Sequence, residues 1–352
     1  MENASVLVVG GGAIGGVVAA LLSGSVDRLT VLDPAVAHAS RMRAPGLRVE
    51  IDGEDRVVAL DARTSPAELG DARFDYALIT VKSLHLEAAV APLRERDLAD
   101  AYVSLGNGMV QPRLAAIVGA ECVIAGVVEF GATNLGPGHV ARTSAGGLSI
   151  GEPDGEIRDR TRRLAALMAP VAEVHLTANI TGAIWSKLLV NSTFSAVGAV
   201  SGLTTGEALD DPAGRPAALA LWREGCEVAA TRGVRFEPVF GVDPRELLEP
   251  AVGRERAEAK LAEATAGVRA TRASMLQDLE RGVATEVDVI NGAVAAEARA
   301  AGLATPVNDR VVAIVHSIER GERTRSREAL AEIAAVGPYG TSGPAVFDQG
   351  ES

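Results

Sequence analysis

The apolar residues of this chain change their rhythm near its middle. In the first half, short β-branched runs alternate with longer helix-forming ones. Ser5–Val9 (SVLVV) has no polar alternation, the mark of a strand buried on both faces. Similar runs recur at 29–32, 76–81, 101–105 and 122–128, with a helical stretch at 84–94. Residues 48–51 and 56–60 suggest a small hairpin around Asp52-Gly53. A turn-rich hairpin at 131–140 and a run at 148–151 look like antiparallel strands closing the first domain, with His139 as a hairpin surface residue. A basic-faced helix at Asp159–Met168 and a strand at 171–176 complete this half.

From Asn179 the pattern turns helical. Residues 180–199 read as one long apolar helix, punctuated by 202–206. Further helices are expected at 216–231, with Gly233 as C-cap, and at 265–282, 306–318 and 326–336. Another opens at Thr285, with Thr285 as N-cap and Asp288 as the N3 acid of a capping box. Residues 238–262 hold three prolines and then a charged helix, with no assignable role. The pattern predicts an α/β fold: an N-terminal Rossmann-type doubly wound sheet over residues 1–178, then an all-helical domain over 179–336. The Gly/Pro/Ser-rich tail, 337–352, is expected to be disordered.

Composition narrows the partners. The chain has 352 residues, 47% hydrophobic, enough for two cored domains. A net charge of −12 argues against nucleic acid and anionic membranes, yet leaves a small anionic substrate open. No stretch reaches the roughly 18–20 unbroken apolar residues of a membrane span, and the glycine-broken N-terminus does not read as a signal peptide. Cys122 and Cys226 lack metal-ligand spacing, so a reduced, cytoplasmic protein without a metal is expected. A homodimer is compatible with all of this.

The chemistry begins after the first strand. Gly10, Gly12 and Gly15 fit G-x-G-x-x-G, with Ala13 and Ile14 between, set between a strand and a helix. That context gives the glycines their roles: a tight turn, close approach to a pyrophosphate, and helix–strand packing. Asp33 ends the second strand, where an acid would hold the adenosine ribose and repel a 2′-phosphate. It is equally placed to start a turn at Pro34. Arg41 and Arg43 follow closely enough to serve a 2′-phosphate, so NAD(H) is favoured over NADP(H) without being required. Lys82 and Asn107 follow strands on the ligand side of an open sheet; each also fits a plain strand end or turn.

In the second half, Lys187 and Asn191 lie four apart on an otherwise apolar helix, hence on one face. Two readings stand: a snorkelling lysine, or the acid that protonates a carbonyl oxygen as hydride arrives. Glu286 is the natural carboxylate partner, unless it serves only the helix dipole. Ser274 could donate to a substrate carboxylate, or be an ordinary helix serine.

These pieces resemble the ketopantoate reductase (2-dehydropantoate 2-reductase) family. The likeness rests on G-N-G-M at 106–109, W-S-K-L-L-V-N at 185–191 and S-M-L-Q-D at 274–278. T-E-V-D-V-I-N-G at 285–292 and T-P-V-N at 305–308 complete it. It implies a Rossmann domain, a helical domain and a cleft between them. Lys187 would be the general acid, assisted by Glu286, which also contacts substrate. Asn107 would position the lysine and nicotinamide, Lys82 would lie near the nicotinamide, and Asn191 and Ser274 would bind substrate. Three positions depart from the family pattern. Ser195 and Thr271 stand where asparagines are common, and Asp33-Pro34 where an arginine for NADP is frequent. The resemblance thus implies NAD(P)H-dependent reduction of a small 2-oxo acid, either ketopantoate or a branched or bulky relative, with Ser195 in a wider pocket. The competing readings are a non-catalytic NAD(P)-binding redox sensor and a β-hydroxyacid dehydrogenase.

Overall fold

The computed structural model describes residues 4–248 and 253–337. The chain divides into two compact units between Ile184 and Trp185.

In the first unit, β1 (Ser5–Val9), α1 (Ala13–Leu22) and β2 (Arg28–Leu32) form an opening βαβ unit, with Val9 opposite Leu32 in parallel register. After α2 (Val36–Arg41), β3 (Leu47–Ile51) and β4 (Glu54–Val58) make the expected hairpin. Asp52 (φ +53°) and Gly53 (φ +81°) both turn left-handed at its tip, as a two-residue hairpin loop requires. Next come β5 (Asp61–Arg63), β6 (Phe74–Ile79), α3 (Leu86–Glu95), β7 (Ala99–Ser104), α4 (Gln111–Val118) and β8 (Val123–Val128). The unit continues with β9 (Gly131–Gly136), β10 (His139–Ser144), β11 (Leu148–Gly151), α5 (Asp159–Met168) and β12 (Val174–Leu176).

Eight strands form one sheet in the order β12-β11-β8-β7-β6-β1-β2-β5, parallel except at β11–β8. Both faces are covered, which explains the unbroken apolar runs. Val6 and Val8 of β1 pack with α1 and α5, while Leu7 and Val9 pack with α3 and α4. The expected closing hairpin is only partly as anticipated. β11 does join the main sheet, but β9 and β10 join β3 and β4 in a separate four-stranded sheet, β4-β3-β10-β9. That sheet packs on α1, with Val140 against Gly16. The expected strand at 171–176 is shorter, beginning at Val174.

The division between the units falls within α6 (Ile180–Val190). Its first turns close the first unit, with Ile180 and Ala183 packed on Ala125 and Val127. The long helix expected over 180–199 is not uniform: a π turn at Asn191–Ser195 precedes α7 (Ala196–Ser201). α8 (Thr205–Asp210) opens with a capping box, Thr204 with Glu207. α9 (Gly214–Thr231) is the buried centre of the second unit, packed by the π turn and by the later helices. It ends in a Schellman turn at Gly233 (φ +64°), as expected. α10 (Gly253–Ala264), α11 (Ser274–Glu280), α12 (Asn291–Ala300), α13 (Pro306–Glu319) and α14 (Glu328–Val336) follow.

Two helix expectations fail. Residues 265–282 are not one helix, because the carbonyls of Arg269 and Thr271 accept from Gly206 and Thr205 at the start of α8. Carbonyls so engaged cannot continue a helical ladder, and α11 begins only at Ser274. The capping box at Thr285 and Asp288 is also absent. Thr285 Oγ1 accepts from Val287 N–H at 3.3 Å, a short 3₁₀ turn covers Val287–Val289, and Asp288 instead pairs with His316 at 3.1 Å. Within 238–262, Pro244–Leu248 is a 3₁₀ turn whose Pro244 carbonyl accepts from Trp222 Nε1 at 2.8 Å, and residues 249–252 lie outside the described residues. The tail expectation, beyond Gly337, lies outside them too.

Candidate active site

The chain runs from β1 outward through β2 to β5, then returns to β6 on the other side of β1. In open α/β sheets a ligand binds outside the strand ends at such a switch point. The glycine turn stands there. Gly10 has φ +98°, which only glycine adopts without strain. A Cβ on Gly15 would overlap the Gly10 carbonyl oxygen and Thr80 Oγ1, so α1 can close on β1 only without a side chain. A Cβ on Gly12 would meet nothing within 4 Å. That open side, at the N-terminus of a ten-residue helix, is where a diphosphate fits: the first turn's N–H groups face outward and the dipole favours an anion. Ala13 and Ile14 supply two of those amides.

Side chains hold the turn from three directions. Thr80 Oγ1 donates to the Gly10 carbonyl at 2.6 Å and stands 3.0 Å from that of Val9. Asp33 Oδ2 accepts from Gly11 N–H at 2.8 Å, while its Oδ1 accepts from Ala35 N–H at 2.9 Å. The turn reading of Asp33 is therefore real, and its carboxylate keeps lone pairs for a further donor. His38 Nε2 lies 2.7 Å from the Gly11 carbonyl, and its Nδ1 accepts from Gly138 N–H at 2.8 Å. A neutral ring with its proton on Nε2 satisfies both. His38 and Thr80 were not legible in the sequence as functional, since neither stands in a motif. Arg43 donates to the Ala62 carbonyl and to Ser40 Oγ, each at 3.3 Å. Lys82, three residues past the end of β6, precedes a short 3₁₀ turn, and Asn107 follows β7; both are half-buried. His139, expected at the surface, is half-buried with Nε2 2.6 Å from Glu50.

In the second unit, Lys187 and Asn191 are half-buried, one turn apart, where α6 passes into the π turn. A π turn inserts a residue, so positions after it rotate by roughly 100° relative to an unbroken α-helix. Ser195, at its end, is 6% exposed. Ser274 is exposed at the first position of α11, and α11 packs on the π turn and α7. Glu286 is 8% exposed and precedes the 3₁₀ turn before α12. Its backbone carbonyl accepts from the N–H groups of Val289 and Ile290, each at 3.1 Å, which fixes the chain there. Within the second unit, then, Asn191, Ser195 and the helix of Ser274 come together around the π turn.

A glycine turn at the switch point of a parallel sheet defines a Rossmann-type dinucleotide-binding protein. Comparison with known proteins takes this further. The family described as "Ketopantoate reductase PanE/ApbA" matches residues 6–155, and its "C terminal" part matches residues 179–319. A 2-dehydropantoate 2-reductase of Halobacterium salinarum is 31% identical, over 90% of this chain and 99% of its own. One from Mesorhizobium japonicum is also 31% identical, over 90% and 98%. The crystal structure of a PanE/ApbA family ketopantoate reductase from Ralstonia eutropha superposes with a TM-score of 0.77, at 26% identity over 91% of this chain and all of that one. A D-mandelate dehydrogenase solved with NADH and anilino(oxo)acetate shares the fold, with a TM-score of 0.77 at 21% identity over 90% and 98%. The chain belongs to the ketopantoate reductase family and is an oxidoreductase with a nicotinamide-dinucleotide fold. Among the described residues no helix is long and apolar enough to cross a membrane.

Proposed function

We propose that this protein reduces the 2-oxo group of a small 2-oxo acid, using NADH ahead of NADPH. The bound nicotinamide supplies a hydride to C2 of the substrate. Lys187 donates a proton to the oxygen as negative charge builds there, and solvent reprotonates the neutral amine afterwards. Glu286 holds the ammonium and contacts substrate. Asn191, Ser195 and Ser274 orient the substrate, with Ser274 as donor to its carboxylate. Asn107 and Lys82 belong to the nicotinamide end. Gly10, Gly12, Ala13, Ile14 and Gly15 form the diphosphate cradle, and Asp33 takes the adenosine ribose.

The observation that carries this reading is Lys187 itself. It sits half-buried on α6, one turn before Asn191 and the start of a π turn, and a lysine drawn partly out of water is held there by specific neighbours. π turns recur at functional sites. Ser195 and Thr271, smaller than the asparagines common in the family, favour a branched 2-oxo acid bulkier than ketopantoate. The cytoplasm and a homodimeric assembly suit an enzyme of this kind. A panel of 2-oxo acids, each offered with NADH and NADPH and followed by loss of reduced-nicotinamide absorbance, tests it. Turnover of a branched 2-oxo acid is expected, and no turnover with any member of the panel would overturn it.

A further inference from the structure

Two motifs of the second half, T-E-V-D-V-I-N-G and T-P-V-N, carry asparagines that the proposed reaction does not use. Both side chains, Asn291 and Asn308, are fully buried. They form one chain of hydrogen bonds with a buried acid. Glu224 of α9 accepts from the backbone N–H groups of Val307 and Asn308, each at 2.9 Å, and from Asn308 Nδ2 at 2.8 Å. Asn308 Oδ1 accepts from Asn291 Nδ2 at 2.9 Å, and Asn291 Nδ2 also donates to the Ser192 carbonyl at 2.8 Å. Ser192 lies inside the π turn, between Asn191 and Ser195.

The ordering of donors is forced. Glu224 can only accept while ionised, so Asn308 must turn its amide nitrogen toward it. That leaves Asn308 Oδ1 for Asn291, whose two N–H hydrogens are then spent on Asn308 and Ser192. Burial pushes the Glu224 carboxyl up, and the three N–H donors pull against that push. A π turn is a rare local geometry, and here a side chain from another helix fastens it. Asn291 also opens α12, five residues after Glu286. One buried bond therefore ties the segment bearing Glu286 to the turn bearing Asn191 and Ser195.

We infer that Asn291 and Asn308 are positioning residues: anchored on Glu224, they set the π turn that presents Asn191 and Ser195 to substrate. The substrate part of this inference rests on the proposed reaction; the mechanical part does not. The test compares Asn291→Ala, Asn308→Asp and the double variant Glu224→Gln/Asn308→Asp with the parent protein. Amide hydrogen exchange of residues 187–196 is read by mass spectrometry, beside NADH affinity and the KM for the best 2-oxo acid. Asn291→Ala should speed exchange at 191–195 by about tenfold, as for one lost buried hydrogen bond, with helices α9 and α13 less affected. KM for the 2-oxo acid should rise by a similar factor while NADH affinity holds. Asn308→Asp, which sets two carboxylates together, should act likewise. The double variant should recover part of the loss, because a glutamine amide at position 224 can donate to the carboxylate introduced at position 308, while the backbone N–H of residue 308 gives up the oxygen it shared. Unchanged exchange at 191–195, or a uniform rise across the helical unit, would overturn the inference. If the parent protein reduces no 2-oxo acid, the reading of the reaction fails, and the exchange comparison alone still decides the mechanical claim.

Discussion

The Asp33 carboxylate accepts the Gly11 N–H at 2.8 Å, tying the end of β2 to the glycine turn. An acid at this place can hold the ribose of a dinucleotide. Here it also shapes the cradle itself, together with His38 on the carbonyl of the same glycine. Asp33→Ala should therefore weaken NADH binding by about tenfold or more, the size of one lost bond to a charged group. It should also shift the NADH-to-NADPH ratio of kcat/KM toward NADPH. Calorimetric titration and paired kinetics measure the two effects. An unchanged ratio would remove Asp33 from the selection of cofactor.

Gly15→Ala places a Cβ against the Gly10 carbonyl, which is backbone and cannot step aside. Separation of α1 from β1 should destabilise the fold by about 1–3 kcal/mol, typical of overpacking, and reduce NADH affinity. Gly12→Ala meets no protein atom, so its fold should keep parental stability while its NADH affinity falls. Denaturant melts and titrations on both variants separate packing from ligand contact.

Glu152 supplies the clearest pH prediction. Burial pushes its carboxyl up, but bonds from Arg160 and Thr161 and the charges of Arg160 and Arg158 outweigh this and hold it below the ordinary glutamate range. Arg160 grips both oxygens, at 2.9 and 2.6 Å. A lowered folded-state value means the stabilisation is present above the unfolded value and disappears as pH falls through the folded one. Glu152→Gln should cost about 1–3 kcal/mol at pH 7, less than for a fully buried pair because Arg158 and Arg160 stay partly exposed. The gap between parent and variant should close progressively below the ordinary glutamate range. A gap that persists in acid would contradict the ion-pair origin.

The two thiols should separate chemically. Cys226 is buried on α9, and burial pushes its thiol up to about 12; Cys122 is partly exposed. Iodoacetamide near pH 8 should alkylate Cys122 alone in the folded protein and both in denaturant. Peptide mass mapping reads the result, and equal labelling in the folded state would contradict the packing around Cys226.

Much of this was legible in the residues because the signals were local. The apolar runs of β1, β6 and β7 marked the main sheet, and strand–glycine–helix order marked the cofactor turn. The four-stranded sheet was not legible, since β10 pairs with β3 through residues such as Val140 and Val49, far apart in sequence. The π turn also left no trace, because Asn191–Ser195 (NSTFS) holds no glycine or proline to mark a break before the apolar run of α7. The capping-box pattern fits both Thr204–Glu207 and Thr285–Asp288, and only tertiary contacts decide between them: Asp288 goes to His316. Helix propensity over 265–282 lost to α8, whose N–H groups take the carbonyls of Arg269 and Thr271. His38 was invisible because its work is with backbone atoms of Gly11 and Gly138.

The role of Lys187 is the centre of the account. Lys187→Ala should retain NADH affinity, measured by calorimetry, while losing at least about a hundredfold in kcat on the best 2-oxo acid, as general-acid loss implies. Turnover equal to that of the parent protein would contradict it.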